Sequence, residues 1–69
     1  MANINTPQDL ATLMVGLHWN DAKDLTYNSP YVYRIGKIDD MTYFLTQDVD
    51  PNRITIEIEN NIVTKATVG

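Results

Sequence analysis

The run Ile54-Thr55-Ile56-Glu57-Ile58-Glu59-Asn60-Asn61-Ile62-Val63-Thr64-Lys65-Ala66-Thr67-Val68 decides the fold. Ile54, Ile56 and Ile58 fall at every second position, with Thr55, Glu57 and Glu59 between them. That is the period of a β-strand with one buried face. Asn60-Asn61 follows, and asparagine tolerates the positive φ of a tight hairpin turn. Ile62 to Val68 then reads as the returning strand. Each buried isoleucine contributes on the order of 1.5–3 kcal/mol against the cost of ordering the chain.

Upstream, Tyr31 to Ile38 is rich in aromatic and β-branched residues and predicts another strand, with Gly36 as a weak point or bulge. Asp39-Asp40 reads as a turn. Met41 to Leu45 fits two descriptions equally, a second hairpin arm or an extended approach to the segment that follows. The join from Ile38 to Ile54 spans roughly 15 residues, long enough for a parallel crossover. Nearer the N-terminus, Thr6-Pro7-Gln8-Asp9 starts a helix: Thr6 caps, Pro7 suits the first helical position and Asp9 favours the positive end. Leu10, Leu13, Met14 and Leu17 recur at helical spacing, and Gly16 stops this short helix near Val15. A second helix runs from about His18 or Trp19 to Tyr27, with Trp19, Ala22 and Leu25 on one face and Asn28-Ser29-Pro30 ending it. The expected fold is a single α+β domain over residues 1–69. A small mixed sheet, a parallel pair plus the C-terminal hairpin, packs on the Trp19/Ala22/Leu25 face of one helix. A short extra N-terminal helix and an exposed extended binding loop complete it.

With 69 residues, such a chain buries only about 60% of the surface its unfolded form exposes. That leaves little room for a catalytic cleft and favours a binding module over an enzyme. The net charge of −4, with five scattered basic residues, argues against nucleic acid. Without cysteine there is neither a disulfide scaffold nor a thiolate metal site. The first residues carry no basic region and no apolar run, so the expectation is no signal peptide, no membrane span and a cytoplasmic setting unless a leader was removed.

Between the aromatic run Met41-Thr42-Tyr43-Phe44 and the Ile54 strand lies Leu45-Thr46-Gln47-Asp48-Val49-Asp50-Pro51-Asn52-Arg53. It is polar, lacks glycine and has no helical period. Pro51 fixes its own φ and drives Asp50 towards extended backbone. This composition reads as a rigid, protruding loop, the kind of segment that carries function.

Thr46, Asp48, Pro51, Asn52 and Arg53 resemble the reactive loop of the potato type I serine-protease inhibitors, the eglin-like group. They are closer still to the related bacterial and fungal small peptidase-inhibitor family. Met14-Val15-Gly16 before the Ala22-Lys23 helix, Tyr33-Arg34 at its spacing from Thr46, the Ile54 to Ile58 strand, the Asn60-Asn61 turn and the Val68-Gly69 end extend the similarity over about residues 13 to 69. The resemblance implies a monomeric inhibitor of a serine endopeptidase that needs no cofactor. Leu45, Thr46, Gln47, Asp48, Val49 and Asp50 would form the reactive-site loop, and Gln47 would supply the scissile carbonyl. Asn52, Arg53 and Gly69 would support the loop from behind. A broad, subtilisin-like specificity pocket tolerates Gln47; a slipped register would make Leu45 or Phe44 the anchor and return chymotrypsin-like targets. Two departures stand out: Asp50 replaces a common arginine, and Thr55 stands where plant and leech members carry a second supporting arginine. They favour the alternative, a non-inhibitory interaction module on the same fold.

The other candidate sites are weaker. Asp48, Asp50, Asn52 and Glu59 match positions 1, 3, 5 and 12 of a calcium loop, but position 6 is Arg53 instead of glycine and the following residues alternate as a strand. His18 is the lone histidine, expected as a cap or a neighbour of Trp19, and no zinc set accompanies it. Asp39-Asp40 at a turn tip has no burial to raise a carboxyl pKa. Tyr27, Tyr31 and Tyr33 read as sheet and edge packing.

Overall fold

The computed structural model describes residues 6–43 and 48–69. Its elements run α1 (Pro7–Met14), α2 (Trp19–Tyr27), β1 (Val32–Ile38), β2 (Met41–Thr42), β3 (Arg53–Glu59) and β4 (Ile62–Val68). The four strands form one mixed sheet in the order β2-β1-β3-β4. β1 and β3 pair in parallel, while β2 and β4 run antiparallel to their neighbours. The radius of gyration, 11.2 Å, is close to the roughly 11 Å expected for a compact chain of this length.

Local chemistry accounts for the element ends. Thr6 caps α1, its hydroxyl accepting from the Asp9 N–H at 3.1 Å. Val15 closes that helix in extended conformation, and Gly16 then turns with φ +92, a conformation that L side chains rarely adopt. His18 caps α2 through Nδ1, which accepts from the Asn20 N–H at 3.2 Å. Asn60 and Asn61 take φ of 52 and 67 in the β3–β4 turn. Asp39 takes φ 52 in the β1–β2 turn, and its carboxylate accepts from the Asn60 N–H at 2.8 Å, which ties the two turns together. β1 slips register against β3 between Ile35 and Lys37, the bulge expected at Gly36. A second shift, across from Glu57 and Ile58, leaves Thr64 of β4 as the extra residue.

The open choice at Met41 resolves towards a hairpin. Met41 and Thr42 pair with Ile38 and Lys37, and the Tyr43 N–H donates to the Gly36 carbonyl at 3.0 Å. Phe44 and Leu45, the rest of that stretch, lie outside the described residues.

The helical layer differs from the expected one. Ala22 of α2 is fully buried as foreseen, but Trp19 and Leu25 are only partly covered. The deepest helical contribution comes from α1, whose Leu10, Ala11 and Met14 are fully buried against Ile54, Ile56, Ile58 and Val63. A sheet this size has a wider apolar face than one short helix can cover, so the N-terminal helix is part of the core and not an appendage. The only buried polar side chain among the described residues, Thr26, donates to the Ala22 carbonyl at 3.2 Å.

The α1–α2 connection also seals half of a sheet edge. The Gly16 N–H donates to Val63 O at 2.8 Å, Val63 N–H to Leu17 O at 2.9 Å, and Trp19 N–H to Asn61 O at 2.7 Å. These bonds occupy the outer backbone groups at the start of β4, where an unpaired edge would otherwise template association.

Candidate functional site

Strand β3 has two faces. Ile54, Ile56 and Ile58 turn to the helices; Arg53 and Thr55 turn the other way, towards the end of the crossover that leads into β3. The crossover's last residues follow turn chemistry. Asp50, Pro51 and Asn52 occupy the first three positions of a β-turn closed by Arg53 N–H donating to Asp50 O at 3.2 Å. The Asp50 side chain reinforces it, Oδ1 accepting from Asn52 N–H at 2.9 Å. Asn52 supports the site through its main chain, its carbonyl accepting from Val32 N–H at 3.0 Å and so attaching the turn to β1.

Beneath this turn the Arg53 guanidinium spans two main-chain oxygens. Nη2 donates to the Asp48 carbonyl at 3.1 Å and Nε to the Gly69 main-chain oxygen at 3.3 Å. Nη1 also lies 3.5 Å from the Asp48 carboxylate. The Arg53 side chain is 16% exposed and that of Asp48 60%. The ion pair is long and open to solvent, so it contributes about 0–1 kcal/mol. The two bonds to main-chain oxygens, made by a half-buried cation, contribute more, together about 1–2 kcal/mol. The planar fork therefore fixes backbone position, a task a flexible ammonium performs poorly.

Gly69 is itself held. Its N–H donates to Arg53 O at 2.8 Å, and its oxygen accepts from Thr55 Oγ1 at 2.8 Å. Thr55 Oγ1 in turn accepts from Arg34 Nε of β1 at 2.8 Å. Val49 stands between the two anchored residues Asp48 and Asp50 and is 82% exposed.

The structure thus brings Asp48, Asp50, Asn52, Arg53 and Gly69 into one hydrogen-bonded group, with Val49 projecting from it. Leu45, Thr46 and Gln47 lie outside the described residues. Sequence reasoning missed Thr55 and Arg34 as members. Thr55 carried a signal, since it lies on the same face of β3 as Arg53; Arg34 carried none until the parallel register set it opposite Thr55.

The remaining candidates are accounted for locally. Residues 53–59 form a strand where an EF-hand loop requires a helix to begin, and the described residues hold no cluster of three or more metal-ligating side chains. Asp39 is engaged by the Asn60 N–H. Tyr33 stacks edge-on against Trp19 with ring centroids 5.0 Å apart, and its pKa lies above 10.0, first because of its hydrogen bond with Tyr27, then burial, then the neighbouring Tyr27 charge. A shallow depression lined by Ile38, Asp39, Asp40, Met41, Thr42 and Tyr43 lies at the β1–β2 hairpin. Comparison of the chain with protein-family models, with curated proteins and with solved structures gives no match, so the functional reading rests on this geometry and on the residues that build it.

Proposed function

We propose that this protein inhibits a serine endopeptidase of broad, subtilisin-like specificity by presenting residues 45–50 as a substrate-like loop. The observation that carries the reading is Arg53, whose fork grips the Asp48 carbonyl from beneath while the same side chain rests on Gly69. The resemblance of Thr46, Asp48, Pro51, Asn52 and Arg53 to the potato type I inhibitor loop supports it from the sequence side.

The chemistry follows from where the grip falls. A protease serine attacks the Gln47 carbonyl, a Ser–carbonyl ester forms, and the Gln47–Asp48 peptide bond breaks as the proton passes through the catalytic histidine to the Asp48 amine. In an ordinary substrate that amine diffuses away. Here Asp48 stays bonded to Arg53, so the amine remains beside the ester and attacks it, restoring the peptide bond and the free serine. An extended peptide pairs with a protease's substrate-binding edge, and a residue anchored before docking, as Asp48 is by Arg53, loses less entropy on binding than a loose one.

A panel of subtilisin-, elastase- and chymotrypsin-like proteases tests the proposal. At least one is expected to be inhibited at sub-micromolar concentration; no inhibition by the intact folded protein rejects it. Arg53→Ala is expected to convert inhibitor to substrate, with mass spectrometry locating the cut after Gln47. The second reading is a non-inhibitory interaction module. Asp50 in place of the family's arginine and the exposed Met41 and Tyr43 at the hairpin depression favour it.

A further inference from the structure

The face of the sheet that carries Arg53 and Thr55 contains a second guanidinium, that of Arg34 on the neighbouring strand. We infer that Arg34 is a positioning residue that braces the loop from β1 by setting the direction of a hydrogen-bond relay to Asp48.

A hydroxyl has one proton to give. Thr55 Oγ1 accepts from Arg34 Nε at 2.8 Å, so its own proton points to the Gly69 oxygen, also at 2.8 Å. That oxygen has a second lone pair, which receives Arg53 Nε at 3.3 Å, and the opposite end of the Arg53 fork reaches the Asp48 carbonyl at 3.1 Å. The relay runs Arg34 to Thr55 to Gly69, with Arg53 leaning on Gly69 to reach Asp48. Without Arg34 the Thr55 hydroxyl is released to rotate, the Gly69 oxygen loses a fixed partner, and the Arg53 fork loses its footing. Chains of hydrogen bonds that polarise one another act as a unit. Arg34 and Thr55 are 21 residues apart, and only the parallel register of β1 and β3 makes them neighbours. The relay is thus a consequence of the crossover topology. Its link to inhibition rests on the function proposed above; the relay itself does not.

Nitrogen-edited NMR of the free protein tests this without any target enzyme. In the native chain the Arg53 Nε–H, held on the Gly69 oxygen, is expected to exchange slowly with water. Arg34→Met and Thr55→Val are each expected to speed that exchange about tenfold or more, the loss of one hydrogen bond to a charged group. Each should raise cleavage of the 45–50 loop by a non-specific protease to a similar degree. Thr55→Ser, which keeps the hydroxyl, is expected to stay within about twofold of the native protein, the conservative rescue that separates a directed hydroxyl from mere packing. The double variant Arg34→Met/Thr55→Val should be no worse than either single one, since both cut the same relay. Unchanged Arg53 exchange in Arg34→Met, or additive effects in the double variant, would overturn the inference. If Arg34→Met fails to fold, Thr55→Val against Thr55→Ser decides the case from the other end of the bond. A failed protease panel alongside accelerated Arg53 exchange would remove the inhibitor reading and leave the relay standing.

Discussion

The two faces of β3 are held by different physics. On one, Ile54, Ile56 and Ile58 are buried with Leu10, Met14 and Val63. Burial is non-directional and scales with area, so neighbours there are exchangeable within limits of volume. On the other, Arg53 and Thr55 act through bonds whose angles and donors matter, to Asp48 and Gly69. The first face secures the fold. The second places a few backbone atoms of an exposed segment, and contributes less to stability than to position. Neighbouring residues of one strand therefore answer to different assays.

The largest expected effect lies on the covered face. Ile56→Ala should destabilise by about 2–5 kcal/mol in a denaturant titration, enough to threaten a domain whose size sets an expected stability near the low end of roughly 5–15 kcal/mol. A loss under about 1 kcal/mol would mean that the covered face is not the chief support. Arg53→Ala should cost less, about 1–2 kcal/mol, yet alter loop cleavage much more than Ile56→Val does. Equal sensitivity of the loop to both changes would erase the contrast between the faces.

At the turn that joins β3 to β4, Asn61→Ala should cost about 1 kcal/mol, because alanine at φ 67 brings its Cβ against the following carbonyl. Asn61→Gly should be neutral or slightly stabilising by the same thermal melt. A smaller effect comes from pH. The folded pKa of Tyr33 lies above the unfolded value of 10.0, so its contribution is complete below about pH 10 and fades as pH rises through the folded value. Alkaline denaturation should show this fall, and Tyr33→Phe should flatten it. Smallest of all, Lys65→Ala removes an exposed 3.8 Å pair with Glu57 on the open face and should change stability by no more than about 0.5 kcal/mol.

What was legible in the sequence follows the same division. The alternation of Ile54, Ile56 and Ile58 gave strand and buried face together; Asn60-Asn61 gave the turn, and Gly36 the bulge. These signals are local and need only a period or a φ preference. The share of α1 in the core was not legible, because a helix of eight residues shows one apolar stripe whether it lies on the sheet or beside it. Met41 to Leu45 suited two descriptions in the sequence, since apolar and aromatic residues favour extended backbone in both. Arg53 was legible by its place at the head of β3. Asp39 reaching Asn60, and Arg34 reaching Thr55, were not: each spans 21 residues, a separation that only sheet register closes.

The parallel pairing of β1 with β3 has one more consequence. Leu10, Ala11, Met14 and Ala22 precede the crossover, whereas Ile54, Ile56, Ile58 and Val63 follow it. The apolar interior is therefore shared between two halves of the chain. A nick in the crossover is expected to leave two peptides that stay paired through that interior, which gel filtration of the cleaved protein would check.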